Sequence, residues 1–404
     1  MAGCLMVLLR AFSKHQTRTK MRRWDYYELP GPSAFLDRIE EDIQEEGQSI
    51  VLKMGRFTPT GWLEELNRRL CSDSDHWHWT YIDTSRGAPL QCLTKGSEKG
   101  RRTLCEENLY DLEGFGQRIF IVEPHGASDL DVWLGFLPKF ADITRQQPPF
   151  SRSAILLTVP SGLPCQVNEN VMIREYSFEG VVTPVDMLIY AYQHIPEVAR
   201  GKVLRNLQAQ LSVELSLWDF DLCKELSPLP VANLIESEAI LNRYAEKIGF
   251  QELVSEEDND RLTEAGARGL FEGEERIHSA MLALRNDSEG IKRRVWRAQL
   301  LILYPFVEEH RQKILCRYER FIKLPHTRKD GKDGRVVKTI ALLQDMEIGD
   351  IMINFRHHLK YHKPLKNFVR NLWEIRRKLA HLNVVPAKYL TERDMDWDYA
   401  GNHD

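Results

Sequence analysis

The sequence lacks any apolar stretch close to the length of about 18 residues that a membrane-spanning helix needs. Its seven cysteines are scattered and odd in number, and no two of them form a C-x-x-C pair. That pattern predicts reduced thiols in a cytoplasmic protein. Neither sign of charge dominates, with 55 Lys and Arg against 59 Asp and Glu and a formal net charge of −4. The total charge therefore gives no indication of a nucleic-acid or membrane partner, although a local patch would not show in this sum.

The two ends of the chain differ in texture from the rest. Met1–Leu9 is apolar, and the segment that follows, up to Arg23, is basic without an acid. A secretory signal carries its positive charge before the apolar run, so residues 1–23 are expected to be a disordered or mis-assigned leader, with a mitochondrial presequence as the alternative. The acidic tail, residues 391–404, is expected to be frayed.

Residues 24–198 have the pattern of an α/β domain. Ser33 is a candidate N-cap for a helix over Ala34–Glu46, which Gly47 ends. Five apolar segments read as strands: Ser49–Met54, Thr80–Asp83, Arg118–Glu123, Ser153–Pro160 and Met172–Tyr176. Because helical segments separate these runs, the sequence predicts a parallel sheet covered on both faces.

The C-terminal half is predicted to be all-α. Residues 199–290 form a helical linker or lid region, with helical periodicity over Val231–Ile248 and Asp258–Leu270 that Arg276–Arg285 continues. Residues 291–390 form a helical bundle. Its first helix, Arg293–Phe321, is interrupted by Pro305. The basic loop Leu324–Lys338 contains two Asp-Gly pairs and is predicted to be a hairpin or an irregular excursion.

The loop after the first predicted strand has the glycines of a phosphate loop but not its charge. A working loop reads G-x-x-x-x-G-K-[ST], in which Lys neutralises phosphate oxygens and the hydroxyl holds Mg²⁺. Here Gly55 and Gly61 are one residue too far apart, and Trp62 and Leu63 replace Lys and Ser/Thr. Glu123 follows a later strand, where an acid for Mg²⁺ or water is usual.

This layout resembles the P-loop NTPases of the AAA+ and STAND groups over roughly residues 24–195. The resemblance implies residual nucleotide binding by Gly55, Gly61 and Glu123, with His125, Asp129 and Thr158 close to that site. The alternative is a degenerate scaffold whose glycines only form a turn. In neither case is ATP hydrolysis or an obligatory cofactor expected.

The segment from Asn367 to Leu382 resembles the last catalytic helix of HEPN domains, whose pattern is Arg, four to six residues, then His. Arg376 and His381 take these places, and Ala380 precedes the histidine as in the family. Arg377 stands where the family usually has Asn. The resemblance implies metal-independent RNA cleavage, in which imidazole moves a proton and guanidinium binds the phosphate. It also implies a dimer, because HEPN enzymes usually bring two motifs together.

Helix geometry and the family pattern favour different arginines. At about 100° per residue, Arg376 and His381 lie about 140° apart, whereas Arg377 and His381 are i and i+4 and share a face. The candidate catalytic set is therefore Arg376, His381 and Arg377. The alternative is that these cations only complement the helix dipole and that His381 only caps the helix.

Three weaker signals remain. Asp73, Asp75, His76 and His78 form one polar cluster, and His357, His358 and His362 form another, but neither completes a metal-ligand set. No metal is therefore expected. A basic loop could contact phosphates, although such loops are usually solvated; its cations are Arg328, Lys329, Lys332, Arg335 and Lys338.

The pairing of the two resemblances is similar to prokaryotic antiphage-defence systems, in which an NTPase-like part controls an RNA-targeting effector. It implies a cytoplasmic defence component that forms homo-oligomers or binds other subunits, with RNA as a candidate substrate and no membrane partner. One alternative is a non-catalytic assembly subunit that acts through protein–protein contacts. A nucleotide-dependent regulator is another.

Overall fold

A computed structural model describes residues 25–72, 77–94, 106–159, 163, 165–167, 170–197, 201–329 and 336–401. The chain divides into two compact units, Met1–Val181 and Val182–Asp404. The first contains a five-stranded parallel sheet and the second is mainly helical, which confirms the predicted fold class. The leader and the residues Asp73, Asp75, His76, Lys332 and Arg335 lie outside the described residues.

The N-terminal unit alternates strands with helices. Its strands are β1 (Ser49–Lys53), β2 (His78–Ile82), β3 (Arg118–Val122), β4 (Ala154–Val159) and β5 (Ile173–Ser177). Its helices are α1 (Pro30–Glu46), α2 (Trp62–Ser72), α3 (Pro89–Leu93) and α4 (Ala127–Arg145). Short 3₁₀ helices cover Asp25–Glu28, Thr84–Arg86, Glu106–Asp111 and Pro149–Ser151.

All strand pairs of the sheet are parallel, in the order β2-β3-β4-β1-β5. Val51, Phe120 and Leu157 belong to one core cluster with Trp133 and Phe140 of α4. The alternate positions Ile50, Leu52, Ile119, Ile121 and Leu156 are equally buried, as expected for a sheet covered on both faces.

The ends of α1 show one wrong and one confirmed prediction. Ser33 is not the N-cap: the helix begins at Pro30 with Leu29 as its cap, because proline at the first position is already set for helical backbone. Gly47 does end the helix. Its φ of +61° is left-handed, its N–H donates to the Ile43 carbonyl, and the N–H of Gln48 donates to the Asp42 carbonyl.

The division between the two units lies just before helix α5 (Pro184–His194). This helix clusters with the second unit, whereas the sequence pattern places it in the domain of residues 24–198. The reason is its packing against α6 (Lys202–Ser216) and α7 (Phe220–Leu226). The next helices are α8 (Val231–Ile235), α9 (Glu238–Lys247) and α10 (Asn259–Glu264). Val231–Ile248 is thus two helices rather than one.

Two hairpins correct the expectation of an all-α half. Strands β6 (Arg268–Phe271) and β7 (Glu274–Ile277) pair antiparallel where continuous helical periodicity was predicted. Their two turn residues, Glu272 and Gly273, both have positive φ, as a tight two-residue hairpin turn requires. The second hairpin, β8 (His326–Lys329) with β9 (Val336–Ile340), lies in the predicted basic loop.

The remaining helices of the C-terminal unit include the longest helix in the described part of the chain. They are α11 (Ser279–Leu284), α12 (Ser288–Tyr318), α13 (Ile348–Asn354), α14 (Arg356–Leu359), α15 (Lys363–Ala380) and α16 (Trp397–Gly401). The 3₁₀ helices are Phe250–Leu253, Glu319–Phe321, Leu343–Asp345, Ala387–Tyr389 and Arg393–Met395.

Helix α12 runs through Pro305 without the predicted interruption. Pro305 is exposed, and Leu301, whose carbonyl loses its intrahelical donor there, is also half-exposed, so water can satisfy that carbonyl. The helix packs against α6 and α15. Gln299 binds the backbone of Val385 in both directions, at 2.8 and 2.7 Å.

The tail is not frayed where it is described. The Asn371 side chain donates to the carbonyls of Tyr389 and Asp394, at 2.8 and 3.1 Å. Trp397 packs on Phe368 and His310. A buried amide and an aromatic contact thus hold residues 387–401 against α15, which the acidic composition did not indicate.

Candidate functional site

The carboxyl edge of the sheet gathers the residues of the predicted nucleotide site. Strand β4 lies between β1 and β3, with Leu52 paired to Thr158 and Val122 paired to Leu157. The Gly55 loop follows β1 and Glu123 follows β3. At about 4.8 Å between neighbouring strands, these two ends are about 10 Å apart. The predicted residues therefore do lie along one edge.

The loop from Gly55 to Gly61 is held by contacts within the N-terminal unit. Thr58 N–H donates to the Gly55 carbonyl at 3.0 Å, and the fully buried Tyr27 donates its hydroxyl to the Pro59 carbonyl at 2.5 Å. Gly61 has a φ of +97°, a conformation that glycine adopts readily, and it precedes the first turn of α2. Both glycines thus have a role in the turn itself.

Acids surround this edge. Burial raises the pKa of Tyr81, and the negative charges of Glu64 and Glu123 raise it further. Burial also raises the pKa of Tyr27, and the negative charge of Glu64 raises it further. Lys53, at the end of β1, is paired to Glu175 at 2.6 Å. Glu64 and Glu123 therefore add negative charge close to the Gly55 loop, in which Arg56 is the cation.

Glu65, in the first turn of α2, is buried and fixes that helix. Its oxygens accept from Arg68 at 2.8 and 2.6 Å and from Arg69 Nε at 3.0 Å. The Arg69 guanidinium also donates to the carbonyls of Tyr27 and Ser33 and pairs with Asp37. This clamp joins the helix after the glycine loop to α1, and the sequence pattern did not predict it.

The other residues of this edge have backbone roles. The Thr158 hydroxyl donates to the Val122 carbonyl at 3.2 Å, across to β3. Asp129 accepts from the backbone N–H of His125 at 3.0 Å, which closes the turn before α4. Glu123 itself is exposed.

At the other predicted site, Arg376 is engaged inside the C-terminal unit. Its Nη1 donates to Glu347 Oε2 at 3.1 Å, and its Nε lies 3.8 Å from Glu308 Oε1. Glu308 also accepts from Arg311 at 2.7 Å. Arg376 thus joins α15 to α12 and to the cap of α13, and a phosphate at this guanidinium would compete with two carboxylates.

Arg377 and His381 lie towards solvent at the C-terminal end of α15. Arg377 is about half exposed, pairs with Glu374 at 2.8 Å, and lies 5.4 Å from the Trp373 ring centroid. His381 is the exposed C-cap residue, and its N–H donates to the carbonyls of Arg377 and Lys378. The Trp296 indole donates to the Leu379 carbonyl at 3.0 Å and so anchors this helix end to α12.

The weaker candidates are also placed. Arg328 of the basic loop pairs with the buried Asp350, with Nε 2.9 Å from Oδ1. His358 and His362 stack on each other with centroids 4.3 Å apart. Among the residues that the structure describes, no group of three or more His, Cys, Asp or Glu side chains could hold a metal ion. Within the same residues no helix is both long and apolar enough to cross a membrane.

Two buried polar clusters of the C-terminal unit are not predicted by the sequence pattern. Asp219 accepts from the Tyr244 hydroxyl at 2.7 Å and lies 3.3 Å from His278 Nε2, and all three side chains are buried. His278 Nδ1 accepts from Ala280 N–H, so the Nε2 position carries the proton. The second cluster pairs the buried Glu214 with Arg297, whose Nε lies 3.3 Å from Oε1. Single polar residues in helical patterns gave no signal for either.

The chain matches no family model and no curated protein.

Proposed function

We propose that the chain is a cytoplasmic antiphage-defence component whose C-terminal unit cleaves RNA without a metal. In this proposal His381 and Arg377 form the reactive pair, and Arg376 positions the helix that carries them. The N-terminal unit is a degenerate nucleotide-binding-like scaffold. The supporting observation is the shared exposure of Arg377 and His381 on one face at the end of α15, while Arg376 is committed to Glu347.

The chemistry needs two proton positions and one cation. The 2′-oxygen of the RNA attacks the adjacent phosphorus as the P–O5′ bond breaks, which leaves a 2′,3′-cyclic phosphate and a 5′-hydroxyl. One imidazole accepts the 2′ proton and a second, protonated imidazole donates to O5′. His381 supplies one per chain, so two copies of the chain supply both. Arg377 stabilises the charge that develops on the phosphoryl oxygens.

Cleavage of end-labelled single-stranded RNA in EDTA tests this proposal. We expect the full chain to cut, and His381→Ala to slow cutting by about 10²–10⁴-fold, the usual contribution of general acid–base catalysis. Arg377→Ala should slow the reaction more than Lys378→Ala, its neighbour on the helix. Asn383→Ala, an exposed change at the same helix end, is the matched control and should cut normally.

The non-catalytic assembly subunit is the second candidate. The observation in its favour is that Arg376 and the Gly55 loop are both occupied by contacts within the chain. If wild-type protein leaves RNA intact, and His381→Ala preserves a biological phenotype that depends on the chain, the assembly function replaces the ribonuclease.

A further inference from the structure

A basic and aromatic surface lies on the C-terminal unit where the end of α12 meets α14. We call it the aromatic–basic face and define it by Arg356, Lys360 and Tyr361, which are exposed on α14 and just after it. Asn354 joins the two segments: its side chain accepts from Lys323 N–H at 2.9 Å and donates to the Lys323 carbonyl at 2.7 Å. The face is therefore built on fixed backbone.

Stacked rings hold α14 against the end of α12. The His358 ring is nearly parallel to Phe321, with centroids 4.3 Å apart at 24°, and to Phe355, at 4.6 Å and 23°. His362 extends the stack at 4.3 Å and 25°. The His358 ring and the Arg320 guanidinium lie against Phe321, so the flat aromatic surface left open to solvent is Tyr361, which is 79% exposed.

The segment that contains Tyr361 is strongly positive, although the whole chain has a net charge of −4. The 15 residues from Arg356 to Arg370 contain five Lys and Arg, three His and no Asp or Glu. The Arg320 guanidinium lies 4.6 Å from the Phe321 ring centroid. No carboxylate in the described part of the chain forms an ion pair with Arg320, Arg356 or Lys360. Like charges left together in this way favour an anionic partner.

From this combination we infer that the aromatic–basic face binds a single-stranded polynucleotide. Unpaired bases stack on Tyr361, while Arg356 and Lys360, one helical turn apart, contact the phosphates. An exposed ring next to cations suits bases and phosphates that alternate along one strand. Stacking and charge hardly distinguish one base sequence from another or ribose from deoxyribose, so RNA and DNA strands bind comparably.

This face is separate from the proposed cleavage pair. Lys363, next to the face, begins α15, and His381 follows its last residue. A helix of 18 residues is about 27 Å long, so the two sites lie at opposite ends of α15. Binding at the face therefore does not require the cleavage chemistry, and the His381→Ala variant should bind normally.

Fluorescence anisotropy with a labelled 12-nucleotide RNA and the full chain tests the inference. We expect Tyr361→Ala to weaken binding by about fivefold or more, the effect of losing one stacked base. Tyr304→Ala removes another exposed tyrosine, 43% exposed on α12, and should leave affinity unchanged. The double variant Arg356→Ala/Lys360→Ala should reduce the slope of log affinity against log salt by about 1.4, or 0.7 per phosphate contact.

Three further ligands make the result decisive. A single-stranded DNA of the same sequence should bind as the RNA does, and a blunt duplex should bind more weakly because its bases are already stacked. Vesicles that contain phosphatidylserine should not compete. The inference is overturned if the single strands do not bind, if the vesicles bind instead, or if Tyr361→Ala and Tyr304→Ala bind equally. A protein that binds but does not cut retains this face and loses only the proposed nuclease.

Discussion

Both compact units bury a glutamate beside arginines, but the arginines satisfy the two carboxylates to different degrees. In the N-terminal unit, both oxygens of Glu65 accept hydrogen bonds from Arg68 and Arg69, at 2.6–3.0 Å. In the C-terminal unit, Glu214 Oε1 lies 3.3 Å from Arg297 Nε. Its Oε2 is buried without a hydrogen-bond partner in the described part of the chain.

The ionisation of the two carboxyls follows from this difference. Burial raises the pKa of both, but the hydrogen bonds from Arg68 and Arg69 outweigh burial at Glu65, whose pKa is lowered overall. At Glu214 burial outweighs the charge of Arg297, and the pKa is raised. A nearby arginine is therefore not sufficient: the pKa of the buried carboxyl is lowered only where donors reach both of its oxygens.

Removal of the better-paired glutamate should have the largest effect. Glu65→Ala is expected to destabilise the N-terminal unit by about 3 kcal/mol, because it leaves the mostly buried Arg69 with the exposed Asp37 as its remaining carboxylate. Urea unfolding measures the change. Glu64→Ala, at the adjacent position, is the control and should stay within about 0.5 kcal/mol of wild type. Equal losses in the two variants would show that the clamp does not hold α2 to α1.

The pH dependence of stability should have opposite signs at the two sites. Glu65 stabilises the fold above its unfolded pKa, ordinarily 4.5, and that stabilisation is lost as pH falls through its lowered folded pKa. Glu214 has the opposite shift, so stability falls as pH rises from 4.5 through its raised folded pKa.

Unfolding curves from about pH 3 to about pH 8 test this contrast. Glu65→Gln should flatten the acid side of the profile, and Glu214→Gln should remove the fall on the less acidic side. Profiles that shift in the same direction would contradict the assignment of the two sites.

At neutral pH the neutral replacement of Glu214 should be tolerated. Glu214→Gln is expected to leave the C-terminal unit as stable as wild type or to add up to about 1 kcal/mol, because it removes an incompletely paired buried charge. Glu272→Gln is the matched control: it removes a carboxylate that pairs with both Arg276 and Arg297, and should cost about 1 kcal/mol. A larger loss at position 214 than at 272 would mean that Arg297 satisfies Glu214 after all.

The smallest expected effect is on ATP turnover. Trp62 and Leu63 stand in place of the phosphate-binding Lys and the Mg²⁺-binding Ser or Thr, and Glu64 and Glu123 add negative charge near Tyr81. Each missing contact of the family loop, the Lys and the Mg²⁺ ligand, weakens binding by about 1.5–3 kcal/mol. Phosphate release from Mg-ATP should therefore be equally negligible for wild type and Glu123→Gln. Turnover that Glu123→Gln abolishes would restore an active nucleotide site.

The strands were the most predictable elements. Residues such as Ile50–Leu52 and Ile155–Leu157 are buried on both faces of a parallel sheet, so their apolar runs are continuous in the sequence. The β6–β7 hairpin was missed because its strands are only four residues long and contain mostly charged or small residues. Its turn depends on positive φ at Glu272, for which glutamate gives no signal.

The residue types of the candidate sites could be predicted from the sequence, but the residues that pair with them could not. The missing phosphate-loop lysine is visible in Trp62 and Leu63. The ion pair of Glu65 with Arg69, however, joins α2 to α1 only because Arg69 also donates to the carbonyls of Tyr27 and Ser33. The local spacing of residues does not reveal these contacts.

The amino-acid sequence alone determined the two-part organisation, the parallel sheet and the basic, acid-free segment from Arg356 to Arg370, because burial patterns and charge counts are local properties. The tertiary structure decided which cations are left for a ligand. Arg376 and Arg377 are neighbours with the same side chain, yet Glu347 and Glu308, from distant segments, bind Arg376 and leave Arg377 half exposed. Ion pairs between segments far apart in sequence depend on how the helices pack, and a linear pattern contains no information on those distances.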